Sequence, residues 1–117
     1  MPAFKPVGHS GSWFATWEGV SYPCVHNHWR RGEWYEDPYV EPVIHPKWNR
    51  FLAAIKNDKK VIETRDKVPD DARYGRWRRS GYIGLWEVDN VQIENTTDPG
   101  RFHLRFRFVR RLVSFQG

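Results

Sequence analysis

Cysteine occurs once in this chain, at Cys24, so no internal disulfide can form and the fold must stand without oxidative cross-links. A reducing interior compartment is the natural setting, and nothing beside Cys24 marks it as a reactive thiol. Long apolar runs are missing as well. None approaches the ~20 residues that a membrane-crossing helix needs, and Met1-Pro2-Ala3-Phe4-Lys5-Pro6 lacks the apolar stretch of a signal peptide. These absences point to a cytoplasmic protein, or a nuclear one in a eukaryotic cell, with no membrane partner. Internal repeats and low-complexity tracts are also lacking.

What is present is a chain of 117 residues, enough for one domain with one core. Its composition is 39% hydrophobic and 28% charged, with seven Trp, seven Phe and five Tyr, which excludes wholesale disorder. Nineteen Lys and Arg against 14 Asp and Glu leave a net charge of +5. That balance favours a polyanionic partner such as nucleic acid, through encounter rather than through fold.

Residues 1–11 hold two Pro, two Gly and a Ser and read as a flexible arm, leaving 12–117 as the domain. Ser12 to Glu18 alternates as a strand, with Trp13, Ala15 and Trp17 on one face and Gly19 as its end. The segment 22–39 fits neither helical nor strand period, and its aromatic and basic residues, Trp29 among them, suggest a long loop insertion at the lip of a cleft. His26 and His28 form an H-x-H pair without a third ligand at metal-binding spacing. Hydrogen bonding or surface exposure explains them better, and neither metal nor cofactor is expected. Tyr39 to Ile44 is short and extended, with Pro42 restricting it to an edge or bend.

The clearest periodicity lies at 46–57, where Trp48, Phe51, Leu52 and Ile55 recur at i, i+3, i+4 and i+7 after Pro46, predicting an amphipathic helix closed by an Asn57-Asp58 turn. Next comes Lys60-Val61-Ile62-Glu63-Thr64-Arg65, a strand that sends Lys60, Ile62 and Thr64 to one face and Val61, Glu63 and Arg65 to the other. Glu63 and Arg65 would then lie side by side, either as a plain ion pair or as a pair that reads a planar polar ligand. Asp66 to Arg73 reads as a loop and Tyr74 to Gly81 as a basic-aromatic segment containing Arg76, Trp77, Arg78 and Arg79. Tyr82–Val88 and Val91–Ile93 carry strand signal on either side of an Asp89-Asn90 break, and Asn95 to Gly100 is a turn by composition. Phe102, Leu104, Phe106 and Phe108 then alternate with His103, Arg105 and Arg107 in a half-buried antiparallel strand.

An amphipathic helix, a short turn, and Asp58, Lys60, Glu63 and Arg65 in the spacing D-x-K-x-x-E-x-R resemble the ASCH family of the PUA-like superfamily, whose signature is G-x-K-x-x-E-x-R after the first helix. Tyr82 to Val88, an apolar strand containing a Gly, is similar to the family's later segment, and the resemblance covers roughly residues 44–112. Asp58 replaces the family's Gly, so the turn falls to a residue less suited to positive φ. The resemblance implies an α+β fold: a small PUA-like β-barrel of about five to six strands with one or two covering helices.

It also implies binding of RNA or of a modified base. Lys60, Glu63 and Arg65 would line the cleft with Trp17, Trp29, Arg76, Trp77, Arg78, Arg79 and Arg105, so that cations meet phosphates and aromatics stack on unpaired bases. The alternative is a hydrolase acting on a modified nucleoside or on RNA, with Lys60 and Glu63 as its catalytic pair. In family members that hydrolyse an acetylated cytidine, a Thr stands three residues after the Lys; here that position is Glu63, which removes the nucleophile. A third possibility uses 22–39 as a contact surface for a protein partner of unspecified kind.

Overall fold

The computed structural model describes residues 5–8, 13–40, 46–68, 78–95 and 102–115. Among these residues, seven strands and one α-helix follow in the order β1 (Phe14–Trp17), β2 (Val20–His26), β3 (Arg30–Arg31), β4 (Trp34–Val40), α1 (Pro46–Asp58), β5 (Lys60–Lys67), β6 (Arg78–Asn95) and β7 (Phe102–Ser114). A single 3₁₀ turn, Asn27–Trp29, joins β2 to β3. The strands form one sheet in the order β1-β2-β5-β6-β7-β4-β3, with β2 and β5 parallel and the other neighbours antiparallel. No α-helix among the described residues is long and apolar enough to cross a membrane.

The sheet has to curl. β2 is second in the order and β3 is seventh, so five spacings of about 4.8 Å would hold them about 24 Å apart if the sheet were flat. The four residue steps from His26 to Arg30 span about 14 Å at most. The curl brings β2 and β3 together without backbone pairing, so the expected closed barrel of five to six strands is instead an open seven-stranded sheet with side chains across its seam.

Two core clusters lie on opposite faces of β2 and β5. One holds Val25, Tyr35, Val61, Val88, Leu104, Phe106 and Phe108 with Phe51, Leu52 and Ile55 of α1; the other holds Ala15, Cys24, Ile62, Tyr82 and Leu85. The consecutive pairs Cys24/Val25 and Val61/Ile62 thus part to different clusters, as period-two alternation demands. Of the expected helical stripe, Phe51, Leu52 and Ile55 are buried, each contributing ~1.5–3 kcal/mol, while the Trp48 side chain lies outside the described ones; Leu104, Phe106 and Phe108 are the buried face of β7.

Three expectations change here. Residues 22–39, expected as a loop insertion, are mostly β2, β3 and β4. Their periodicity was obscured because Pro23, Cys24 and Val25 are buried in succession, β2 being covered on both faces, and because the 3₁₀ turn interrupts the pattern at Asn27. The Asp89-Asn90 break is a bulge within one 18-residue strand, where Asn90 takes φ 52° and the β6/β7 register shifts between Asp89 and Gln92. The turn after α1 falls on Lys59 rather than on Asn57 or Asp58. Lys59 adopts φ 54° and donates its N–H to Ile55 O at 3.0 Å, a left-handed helix end, while its own carbonyl accepts from Val88 N at 2.9 Å.

Candidate functional site

The motif strand β5 begins one residue beyond that turn, and four successive residues, Val61 to Thr64, are buried. Glu63 is 1% exposed. Its carboxylate accepts hydrogen bonds from Arg30 Nη1 on Oε1 at 2.9 Å and from Asn27 Nδ2 on Oε2 at 2.7 Å. One donor lies in the 3₁₀ turn and the other opens β3, so the carboxylate is the anchor that draws this stretch across the seam. The Arg30 guanidinium lies 4.4 Å from the Trp86 ring centroid and 4.2 Å from that of Phe108, and its Nε donates to Gly32 O at 2.8 Å. Cation–π stacking of this kind partly replaces the water that a buried guanidinium gives up.

On the opposite face of β5, Asp66 Oδ2 accepts from the Thr64 hydroxyl at 2.7 Å and from His26 Nδ1 at 2.9 Å. Burial pushes the Asp66 carboxyl up, but the His26 and Thr64 hydrogen bonds and the nearby Arg79 charge outweigh it and hold its pKa below the ordinary value. An ionised carboxylate only accepts, so His26 carries the proton on Nδ1. The backbone N–H of His26 reaches across the seam to the Tyr35 hydroxyl at 3.3 Å. Burial, reinforced by the Asp37 carboxylate, pushes the Tyr35 hydroxyl well above the usual phenol range, so it stays protonated. Tyr35 is held by stacking on Phe106, 4.7 Å between centroids and 17° between planes. Cys24 is likewise pushed up to about 12, by burial above all, and is an inert thiol at neutral pH. Among the described residues, no three His, Cys, Asp or Glu side chains stand together as metal ligands would.

The residues singled out from the sequence fall into distinct environments. Lys60 is exposed at the start of β5 and lies opposite Glu87 of β6, while Glu63 is buried and bonded to Asn27 and Arg30. Arg65 is exposed, and the guanidinium that pairs with Glu63 is Arg30, 33 residues earlier in the chain but adjacent across the seam. Trp17 and Trp29 are half-buried: Trp17 packs edge-on against Phe115 at 4.9 Å, and Trp29 sits beside His28 at 4.7 Å and against the larger core cluster. Arg79 is half-buried and donates to the Tyr82 hydroxyl at 3.3 Å. Arg76 and Trp77 lie outside the described residues, as does Arg73.

Several arginines of the last strands are neutralised locally. Arg107 grips Asp89 with both Nε and Nη2, at 3.0 and 2.7 Å, and Arg110 donates to Glu87 at 3.0 Å. Arg105 Nε lies 3.2 Å from Glu36 Oε1, within ion-pair range though not aligned as a hydrogen bond, and its guanidinium covers Trp34 at 4.0 Å. Further cationic residues stand at the other end of the β5–β6 pair. Lys67 of β5 is directly opposite Arg78 of β6, and Arg65 lies two residues earlier on the same side of the strand. Arg65 and Lys67 are exposed and meet no carboxylate among the described residues.

Arg30, Asn27, His26 and Asp66 were not legible as site residues, because they converge from separate strands and no local spacing joins them. Comparison of the chain with protein-family models, with curated proteins and with solved structures returns no match.

Proposed function

We propose that this domain binds single-stranded nucleic acid, RNA in the first instance, through the cationic end of the β5–β6 pair. The observation that carries the reading is the exposed pair Arg65 and Lys67 on one side of β5, with a further cationic residue, Arg78, directly across from Lys67. Like charges placed directly across a pair of strands destabilise the fold, so their presence is better explained by an anionic partner than by stability. Arg65 and Lys67 meet no carboxylate among the described residues, whereas Arg105, Arg107 and Arg110 each lie within ion-pair range of one. Kinship with the PUA-like superfamily and a cytoplasmic setting belong to the same proposal, and the position of Lys60, Glu63 and Arg65 directly after α1 supports it. Recognition of a modified base would fall to half-buried aromatics such as Trp29 rather than to Glu63, whose carboxylate is committed to Asn27 and Arg30. The same commitment leaves the hydrolase alternative built on Lys60 and Glu63 without geometric support.

The test is fluorescence anisotropy of labelled single-stranded RNA and DNA oligonucleotides, titrated with salt. The parent chain should bind at low salt, and the Arg65→Gln/Lys67→Gln double variant should lower the slope of log K against log salt by about 1.4, at ~0.7 per cation for a single strand. Arg107→Gln is the control and should leave the slope unchanged. Failure of the parent to bind at low salt, or an unaltered slope in the double variant, would overturn the reading.

A further inference from the structure

The Trp86 indole Nε1–H is buried and meets no protein acceptor among the described residues. A buried orphan donor is costly, and a native chain retains one mainly where something else completes it. Its surroundings are of one polarity. Arg30 lies over the ring at 4.4 Å, and Arg111, the cross-strand partner of Trp86, places its guanidinium carbon 5.9 Å from the centroid. Arg30 uses Nη1 for Glu63 and Nε for Gly32 O, leaving Nη2 as a donor. Arg111 is exposed and meets no carboxylate among the described residues. Two guanidiniums against the single Glu63 carboxylate leave this spot positive.

Gly84 explains how Arg111 gets there. A Cβ at Gly84 would fall 3.2 and 3.4 Å from Cδ and Cγ of Arg111, so the arginine stem occupies the notch that the missing side chain provides and directs its charge toward Trp86.

From an orphan indole N–H on a ring that carries two guanidiniums over it we infer a binding site for one phosphate group, formed by Trp86 Nε1–H, the Arg111 guanidinium and Arg30 Nη2. This inference rests on the nucleic-acid reading only for the source of the phosphate. The N–H is buried in this conformation, and in the proposed site the exposed Arg111 side chain swings aside as the anion enters and engages it through its guanidinium. Such a site is separate from the Arg65–Lys67–Arg78 end and would fix the register of a bound strand, since an indole donor beside two guanidinium forks holds an oxyanion at a defined point.

The experiment is a ¹⁵N–¹H spectrum of the full chain, in which the Trp86 indole peak is identified by its loss in Trp86→Phe, a variant that keeps an aromatic ring under Arg30. Inorganic phosphate should move that peak saturably, sodium chloride of equal ionic strength should not, and Arg111→Gln should abolish the response. In the anisotropy assay Trp86→Phe should weaken oligonucleotide binding about tenfold, the loss expected for one hydrogen bond to a charged group. A Trp86 peak that ignores phosphate and oligonucleotide alike refutes the site, even if the chain binds the oligonucleotide elsewhere. A peak that follows phosphate in a chain that binds no oligonucleotide upholds the site and removes the nucleic-acid reading instead, leaving a free phosphate compound as the ligand.

Discussion

Replacing Arg30 with alanine puts the seam to the most direct test. In the parent, the Glu63 carboxylate is 1% exposed and has two donors, Arg30 and Asn27. The variant leaves it buried with Asn27 alone. Removing one partner of a buried ion pair costs about 3–5 kcal/mol because the remaining charge stays desolvated. The Arg30 side chain is 23% exposed, so water reaches part of the pair and a loss at or just below the bottom of that range, about 2–3 kcal/mol, is expected. Loss of the stacking on Trp86 and Phe108 is included in that figure rather than added to it. For a chain of this size such a loss lowers Tm by about 8–12 °C. Urea titration followed by tryptophan fluorescence reads it directly, with the m-value checked for constancy. The double variant Arg30→Met/Glu63→Leu removes both charges and should recover most of the loss, giving a coupling energy of about 1–3 kcal/mol. If Arg30→Ala costs under about 0.5 kcal/mol, the clasp is a surface ion pair and the account of the seam is wrong.

Other substitutions follow from single observations. Lys59 holds φ 54°, so Lys59→Gly should stabilise the chain by about 0.5–1 kcal/mol in the same titration, relieving left-handed strain at the end of α1. Gly84→Ala would place a Cβ 2.8 Å from the Val113 carbonyl oxygen, a backbone atom, and should destabilise by about 1–3 kcal/mol. Because the folded pKa of Asp66 lies below the ordinary 3.8, its contribution to stability is present above that value and is lost as pH falls through the folded pKa. Asp66→Asn should therefore be less stable than the parent near neutral pH, and thermal unfolding scans should show the gap narrowing in acid below 3.8. Cys24, with its thiol pushed up to about 12 and 4% exposed, should react with a disulfide reagent at neutral pH only in urea, at the rate of unfolding.

Local periodicity made the helix and the last strand legible. Phe51, Leu52 and Ile55 recur at helical spacing because one stripe of α1 faces the core, and Leu104, Phe106 and Phe108 alternate because one face of β7 does. β2 was hidden by the same logic: buried on both faces, it shows no alternation. The curl of the sheet was hidden for a different reason. It follows from which strands pair, and β2 pairs in parallel with β5 across more than thirty intervening residues. Of the candidate site, the strand position of Lys60, Glu63 and Arg65 was legible, while the partner of Glu63 was not. Adjacent charges two residues apart on a strand suggested Arg65, but burial takes Glu63 inward and leaves Arg65 at the surface, so a guanidinium from across the seam takes its place.

That geometry changes how mutations of the motif should be interpreted. Lys60 is exposed and makes no hydrogen bond or ion pair among the described residues, so Lys60→Ala leaves the fold intact and any lost binding or turnover reports on Lys60 itself. Glu63 is the acceptor that holds Asn27 and Arg30, and through Arg30 it fixes the ring contacts with Trp86 and Phe108. Glu63→Ala therefore opens the seam and disturbs the proposed phosphate site as well, with no catalytic role needed to explain a loss of function. A catalytic assignment for Glu63 would require a variant that keeps the clasp yet removes the chemistry. Glu63→Gln comes nearest, since its amide oxygen still accepts from one of the two donors. Turnover abolished in Glu63→Gln, with stability within about 1 kcal/mol of the parent and oligonucleotide affinity unchanged, would favour a catalytic carboxylate. Turnover absent from the parent, with affinity falling in step with stability across Glu63→Gln, Glu63→Ala and Arg30→Ala, identifies Glu63 as the structural anchor of a binding surface, the outcome expected from its two hydrogen bonds and its burial.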